Sequence, residues 1–167
     1  IQDIFGSPAD NTSVSHSISQ LTQALQSLTL APEKSVDQTE MVRRAMDMAQ
    51  KLQDMSETIQ ELRVIADQSI AAAVDEINRL ATSLGDLNDK IIRNQSSGLD
   101  VTDLKDQRDQ NIDKMAELID IRYFYRSDGD VVVFTSSGRT IVDNIPATLS
   151  HTAASSVTAT TTHADGS

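Results

Sequence analysis

The chain has 167 residues, 25 acidic against 14 basic, with a formal net charge of −11 and neither cysteine nor tryptophan. A disulfide scaffold and a cysteine–zinc site are therefore excluded, and the acidic balance opposes a general nucleic-acid binder, which needs clustered Lys and Arg against phosphate. Aromatic residues number two Tyr and three Phe, a thin stock for a spherical core, where aromatics usually dominate the buried area.

Residues Ile1 to Thr12 read as a leading segment with turn chemistry at Gly6-Ser7-Pro8, and Asp10, Asn11 and Thr12 are competent helix caps. The opening at Ile1 in place of methionine reads as a piece of a longer protein. Nothing here has the basic-then-apolar order of a secretory signal, and no apolar run approaches the roughly 20 residues that cross a bilayer. Val14, Ile18, Leu21, Leu25 and Leu28 then recur at alternating four- and three-residue steps, which places them on one stripe. The spacing predicts a helix over 13–30, ended by Pro32, which lacks the N–H the next turn needs.

The main feature follows. An apolar ladder runs Met41, Ala45, Met48, Leu52, Met55, Ile59, Leu62, Ala66, Ile70, Ala73, Ile77, Leu80, Leu84, Leu87, Ile91. Its three-four spacing is the seam of a coiled-coil-like helix. Two successive four-residue steps, Leu62 to Ala66 to Ile70, form a stutter that locally unwinds a left-handed supercoil. Ser35 with Gln38 fits a capping box. One helix over 36–94 would reach roughly 88 Å at 1.5 Å per residue, with Gly85 its weakest interior point. Gln95-Ser96-Ser97-Gly98 reads as a loop, and a third helix over 102–119 turns Leu104, Ile112, Met115 and Ile119 inward, with Arg108 interrupting that stripe.

The period then changes. Ile121 to Arg126 and Val131 to Thr135 are β-rich runs around Asp128-Gly129, a strong hairpin signal. A two-residue turn there sets Tyr125 opposite Val132 and Tyr123 opposite Phe134, with Ile121 on the same face. Arg139 to Val142 supplies a third strand after Gly138. The expected architecture is mainly α: an elongated antiparallel bundle with one very long helix, plus a small antiparallel three-stranded sheet. Residues 1–120 would form the rod, 121–145 the hairpin region and 146–167 an Ala/Thr/Ser-rich linker or the start of an outer domain.

Chemistry is sparse. His16, His151 and His163 have no metal-ligand spacing and read as solvated surface residues. Asp103, Asp106, Asp109 and Asp113 share a helical face; carboxylates so placed complement a helix N-terminus, and no partner constellation for acid–base work accompanies them. No phosphate loop, dinucleotide fingerprint or nucleophile elbow appears. Neither catalytic nor metal-binding residues nor a cofactor are assigned. Met41, Met46, Met48 and Met55 cluster where the long helix begins, as core filler or contact surface. A helix this long buries its seam (Leu52, Met55, Ile59, Leu62, Ile70, Ile77, Leu80) only against other long helices, and the two shorter helices do not suffice. That argues for an interaction-built structural protein.

Leu84-Gly85-Asp86-Leu87-Asn88-Asp89-Lys90-Ile91 resembles the Ile/Leu-x-x-Leu-Asn-x-x-Ile stretch of the flagellar hook-associated protein 1 family. Asp103-Leu104-Lys105-Asp106-Gln107-Arg108-Asp109 resembles that family's more specific Asp-Leu-x-Asp-Gln-Arg-Asp motif. The order through Asp128-Gly129, Val131-Val132-Val133, Gly138 and Ile141-Val142 is similar too, so the likeness covers Leu21 to Val142. It implies a non-enzymatic structural protein joining hook to filament, exported by the type III apparatus without a cleaved signal peptide and located outside the cell in the flagellum. Its partners would be other copies of itself, the hook protein, hook-associated protein 3 and a helix from the parent's C-terminal part, with no nucleic acid and no membrane. Leu84, Leu87, Asn88, Ile91, Leu104, Asp106, Arg108 and Asp109 would be packing and salt-bridge residues. Flagellin-like axial relatives share this architecture, and a signalling or scaffold coiled-coil dimerisation module is the alternative outside the group.

Overall fold

The computed structural model describes residues 13–154, so the Gly6-Ser7-Pro8 turn, the caps at 10–12, His163 and the tail from Ser155 lie outside the described residues. Three helices and a three-stranded antiparallel sheet follow one another as α1 (Val14–Leu30), α2 (Ser35–Ser96), α3 (Thr102–Leu118), β1 (Ile121–Tyr125), β2 (Val131–Thr135) and β3 (Thr140–Val142). The chain divides into two compact units, one up to Ile65 and one from Ala66 to Ala154.

In the first unit, α1 opens on Ser13, whose Oγ accepts from the His16 amide at 3.2 Å, and ends as the Ala31 amide bonds back to Ser27 O. The capping box expected at Ser35 does not form. Ser35 already lies within α2, and the Gln38 side-chain amide donates instead to the Pro32 carbonyl at 2.8 Å. Arg44 joins the two helices, donating to Gln20 Oε1 at 2.6 Å and to Glu40 at 2.7 Å. Among the described residues of this unit only Ser13 and Ala24 are buried, and the ladder residues Leu52, Ile59 and Leu62 stand exposed.

The second unit holds the core. Ile77, Leu80, Ala81 and Leu84 of α2 meet Ile112 and Met115 of α3 and Val131, Val133, Ile141 and Val142 of the sheet, with Ile119, Ile121 and Leu149 packed against them. The ladder that is open at Leu52 to Leu62 is therefore closed from Ile77 to Ile91. Between the helices, the Leu99 amide bonds to Asn94 O (2.9 Å) and the Gly98 amide to Gln95 O (3.0 Å). This is the Schellman arrangement, and Gly98 supplies its positive φ of 72°.

The hairpin register differs from the expected one. The Gly129 amide bonds to Arg126 O, and Arg126 and Asp130 still pair as strand neighbours, so the loop has three residues with glycine in the left-handed position (φ 91°). That loop adds one residue to the two-residue turn the Asp-Gly pair predicts. Tyr125 now faces Val131 and Tyr123 faces Val133, whereas Val132 faces Phe124 and Phe134 faces Arg122. Directly opposed residues share a face and successive residues alternate, so Val132 and Phe134 leave the Ile121–Tyr123–Tyr125 face and join Phe124 on the other. The rings follow: Tyr123 and Tyr125 pack edge-on at 5.7 Å, and Phe124 and Phe134 at 6.2 Å.

After β3 the chain takes no regular secondary structure, yet it does not leave the unit. It lies along α2 from Pro146 to Ala154, held at points described below.

Candidate functional site

The corner where the two resembling motifs meet is built from α2, α3 and the β1–β2 turn. Arg108 breaks the apolar stripe of α3, and it is buried at 5% exposure. Its NH1 donates to the Gly129 carbonyl at 2.8 Å, its Nε meets Asp109 Oδ1 at 3.3 Å, and its guanidinium carbon lies 4.4 Å from the centre of the Tyr125 ring. The Tyr125 hydroxyl donates to the same Asp109 oxygen at 3.1 Å. A planar cation stacked on an aromatic face while donating into a turn is a role suited to arginine.

Asn88 is the second element. Its position between Leu87 and Ile91 puts it on the buried side of α2, at 4% exposure. Its Nδ2 donates to the Val131 carbonyl at 2.9 Å, and its Oδ1 accepts from the Val131 amide at 3.1 Å. The register of β2 with β3 pairs Val133 with Val142, and β3 ends there, so Val131 has no strand beyond it. The carboxamide supplies the donor and acceptor that a further strand residue would have provided.

The same device holds the segment after β3. Asn78 Nδ2 donates to the Leu149 carbonyl at 2.9 Å, and Asn78 Oδ1 accepts from the Leu149 amide at 2.8 Å. Toward the N-terminus of α2, Asp67 is buried at 5% exposure; its carboxylate meets His151 Nε2 at 2.7 Å and accepts from the Ala154 amide. At the other end a Cβ on Gly85 would stand 2.8 Å from Pro146 Cγ, a close approach that explains a glycine inside a helix otherwise penalised for it. His151 is exposed, as expected of a surface residue, and is in addition tied to a buried carboxylate.

The remaining expected packing residues divide plainly. Leu84, Leu87 and Ile91 are buried, Leu104 is half-buried, Asp109 belongs to the Arg108 corner, and Asp106 is exposed. Of the seam, Ile77 and Leu80 are buried, Met55 is half-buried, and Leu52, Ile59, Leu62 and Ile70 are exposed. Asp103 and Asp113 also face solvent. Among the described residues no group of three His, Asp or Glu side chains comes together as metal ligands, and no helix is long and apolar enough to cross a membrane. Asp67 and Asn78 carried no signal in sequence beyond being polar residues beside an apolar ladder.

Burial raises the Tyr125 phenol above its ordinary value, and its hydrogen bond to Asp109 adds to the effect. The folded group holds its proton more tightly than the unfolded one, so stability is intact below pH about 10 and declines as pH rises further. Thermal melts between pH 9 and 11 should show that decline. Tyr125→Phe should flatten it, and an unchanged slope in that variant would remove Tyr125 as its source.

At Asp130 burial outweighs Arg126 and raises the carboxyl, whereas Arg126, its NH2 2.8 Å from Asp143, lowers that group.

These features can be set beside known proteins. The chain is similar to Flagellar hook-associated protein 1 of Bacillus subtilis (strain 168), at 22% identity over 134 residues, covering 80% of this chain and 26% of that protein. In structure it is similar to the flagellar hook junction protein FlgK from Burkholderia pseudomallei, with a TM-score of 0.75 and 23% identity, over 84% of this chain and 24% of that one. It therefore spans about a quarter of the length of either relative, and the structural likeness speaks for the fold. The family model described as the Flagellar hook-associated protein FlgK helical domain matches residues 1–167. The chain belongs to the family of FlgK helical domains of flagellar hook-associated proteins.

Proposed function

We propose that this chain is the helical part of a structural subunit that joins hook to filament in the bacterial flagellum. It works by helix packing and not by catalysis. The observation that carries this reading is the contrast along α2. Leu52, Ile59 and Leu62 stand 50%, 40% and 42% exposed on the ladder whose continuation, Ile77 to Ile91, is buried. Apolar side chains at seam spacing gain their stabilisation only when a second helix covers them. The covering helices would come from other copies, from neighbouring axial proteins such as the hook protein and hook-associated protein 3, and from a C-terminal helix of the parent protein. Export through the flagellar type III apparatus, without a cleaved signal peptide, would place it outside the cell.

In the organism that encodes the chain, deleting its gene should leave hooks without filaments and stop swimming. The unaltered gene should restore both; one carrying Leu52→Glu, Ile59→Glu and Leu62→Glu together should restore neither. Those positions are exposed, so the triple variant should melt like the parent chain. Normal filaments in the deletion strain would overturn the assignment, and normal filaments with the triple variant would overturn the seam as the assembly surface.

A further inference from the structure

The β1–β2 loop places side by side two residues that can react with each other. Asp128 is exposed, and Gly129 follows it. A glycine leaves its own backbone nitrogen uncrowded, so an Asp-Gly pair cyclises more readily than other aspartyl pairs. The Gly129 nitrogen attacks Asp128 Cγ, a C–N bond forms, and the carboxyl hydroxyl leaves as water together with the amide proton. Water then opens the resulting succinimide. Opening at Cγ restores the original chain, whereas opening at the α-carbonyl leaves the backbone running through Asp128 Cβ and Cγ. The net change consumes no reagent: an aspartate becomes a β-aspartate of the same mass, a covalent change that alters the physical argument for the loop.

In the folded chain every participant is held. The peptide between Asp128 and Gly129 is pinned at both ends. Its N–H donates to the Arg126 carbonyl at 3.0 Å. Its C=O accepts at 3.3 Å from the Gln95 carboxamide, in the orientation that also lets that side chain accept from Lys105 Nζ at 3.0 Å. Asp128 Oδ1 accepts from the Asp130 amide at 3.2 Å, an Asx turn, and Arg108 NH1 donates to the Gly129 carbonyl at 2.8 Å. Replacing the glycine does not disarm the pair without cost. Its φ is 91°, and a Cβ there would stand 2.6 Å from the Gln95 side chain. The loop that seats Arg108 is thus the loop that carries the reactive pair.

We propose that Asp128-Gly129 is a spontaneous isomerisation site that the fold silences, so that β-aspartate there marks chains that have spent time unfolded. The lesion adds one atom to the main chain of a loop whose length fixes the register of β1 on β2. The Arg126 carbonyl and the Arg108 guanidinium then no longer meet the two sides of Gly129 together.

The unaltered chain is kept for weeks at mildly acidic pH and body temperature, one portion folded and one in guanidinium chloride. Peptide mapping with isoaspartyl methyltransferase and a labelled methyl donor counts β-aspartate at each position. In denaturant both Asp-Gly pairs of the sequence, Asp128-Gly129 and Asp165-Gly166, should accumulate it at similar rates. In the folded portion the rate at Asp128 should fall about tenfold or more, since several hydrogen bonds must open together before the ring can close. Chains bearing the lesion at Asp128 and returned to buffer should melt below the parent and exchange the Gly129 amide faster. Absence of β-aspartate at Asp128 in denaturant overturns the proposal, and so do equal rates at Asp128 in the two portions. A lesion-bearing chain that melts with the parent and keeps the Gly129 amide protected overturns the damage to the Arg108 corner.

Discussion

Replacing Asn88 with leucine should destabilise the second unit by about 3–5 kcal/mol, although the two side chains are similar in size. Leucine is a better helix former and suits a buried position, so both local propensity and apolar burial favour the change. The loss arises elsewhere. The Val131 amide and carbonyl, each bonded to the Asn88 carboxamide, would stay buried without partners, and a buried backbone group left unsatisfied costs about 1–3 kcal/mol. Two such groups outweigh the fraction of a kcal/mol gained in propensity. For a unit of this size the melting temperature should fall by roughly 15 °C or more. Asn88→Asp sharpens the test. A carboxylate accepts from the Val131 amide but repels the Val131 carbonyl, while its protonated form donates to that carbonyl. Burial raises the folded pKa of the introduced acid, so the stability of Asn88→Asp should be greatest at low pH and fall as pH rises. A melting point for Asn88→Leu within a few degrees of the parent would show that water or a backbone shift supplies the missing partners.

Arg108→Met should cost about 2–4 kcal/mol. The methionine keeps the apolar stem and the helix propensity, so the change isolates the guanidinium. What disappears is a charge-assisted hydrogen bond to the Gly129 carbonyl and the stacking on Tyr125, worth about 1.5–3 and 0.5–2 kcal/mol in such settings. Arg108→Lys should recover little, because an ammonium group neither lies flat on a ring nor reaches two partners in a fixed fork. Asp106→Asn, two residues away on the exposed side of α3, should shift stability by less than about 0.5 kcal/mol. Chemical denaturation of the three variants gives the ranking directly, and equal effects at Arg108 and Asp106 would contradict the buried-corner account.

The helices were legible because a three-four ladder of apolar residues is a redundant signal. Losing any one of Ile77, Leu80 or Leu84 would leave the period intact. The hairpin was legible as an element from Asp128-Gly129 and its flanking runs, but its register was not. Val131, Val132 and Val133 are identical, so no alternation tells which of them faces the helices. The loop length is decided by whether Ser127 joins the ladder or the loop, that is, whether Asp130 pairs with Ser127 or, as the bond from Arg126 N to Asp130 O shows, with Arg126. The Arg108 corner was half legible: an arginine on an inward stripe stood out, but Tyr125 and Gly129 as its partners lay in another element. The segment after β3 was illegible for a different reason. Its own Ala, Thr and Ser residues carry no pattern, and what holds it are Asp67, Asn78 and Gly85, residues 61 to 87 positions earlier whose role appears only once Pro146, Leu149, His151 and Ala154 lie against them.

That last segment also has a mechanical meaning. From Pro146 to Ala154 the chain runs back along α2, from Gly85 toward Asp67, so its backbone is antiparallel to the helix and its anchors are spaced along the helix axis. Tension applied along that axis through Ala154 loads the Asn78 and Asp67 contacts in shear, all at once. Tension applied across it peels them singly, beginning at Asp67. The segment therefore resists a lengthwise pull far better than a sideways one.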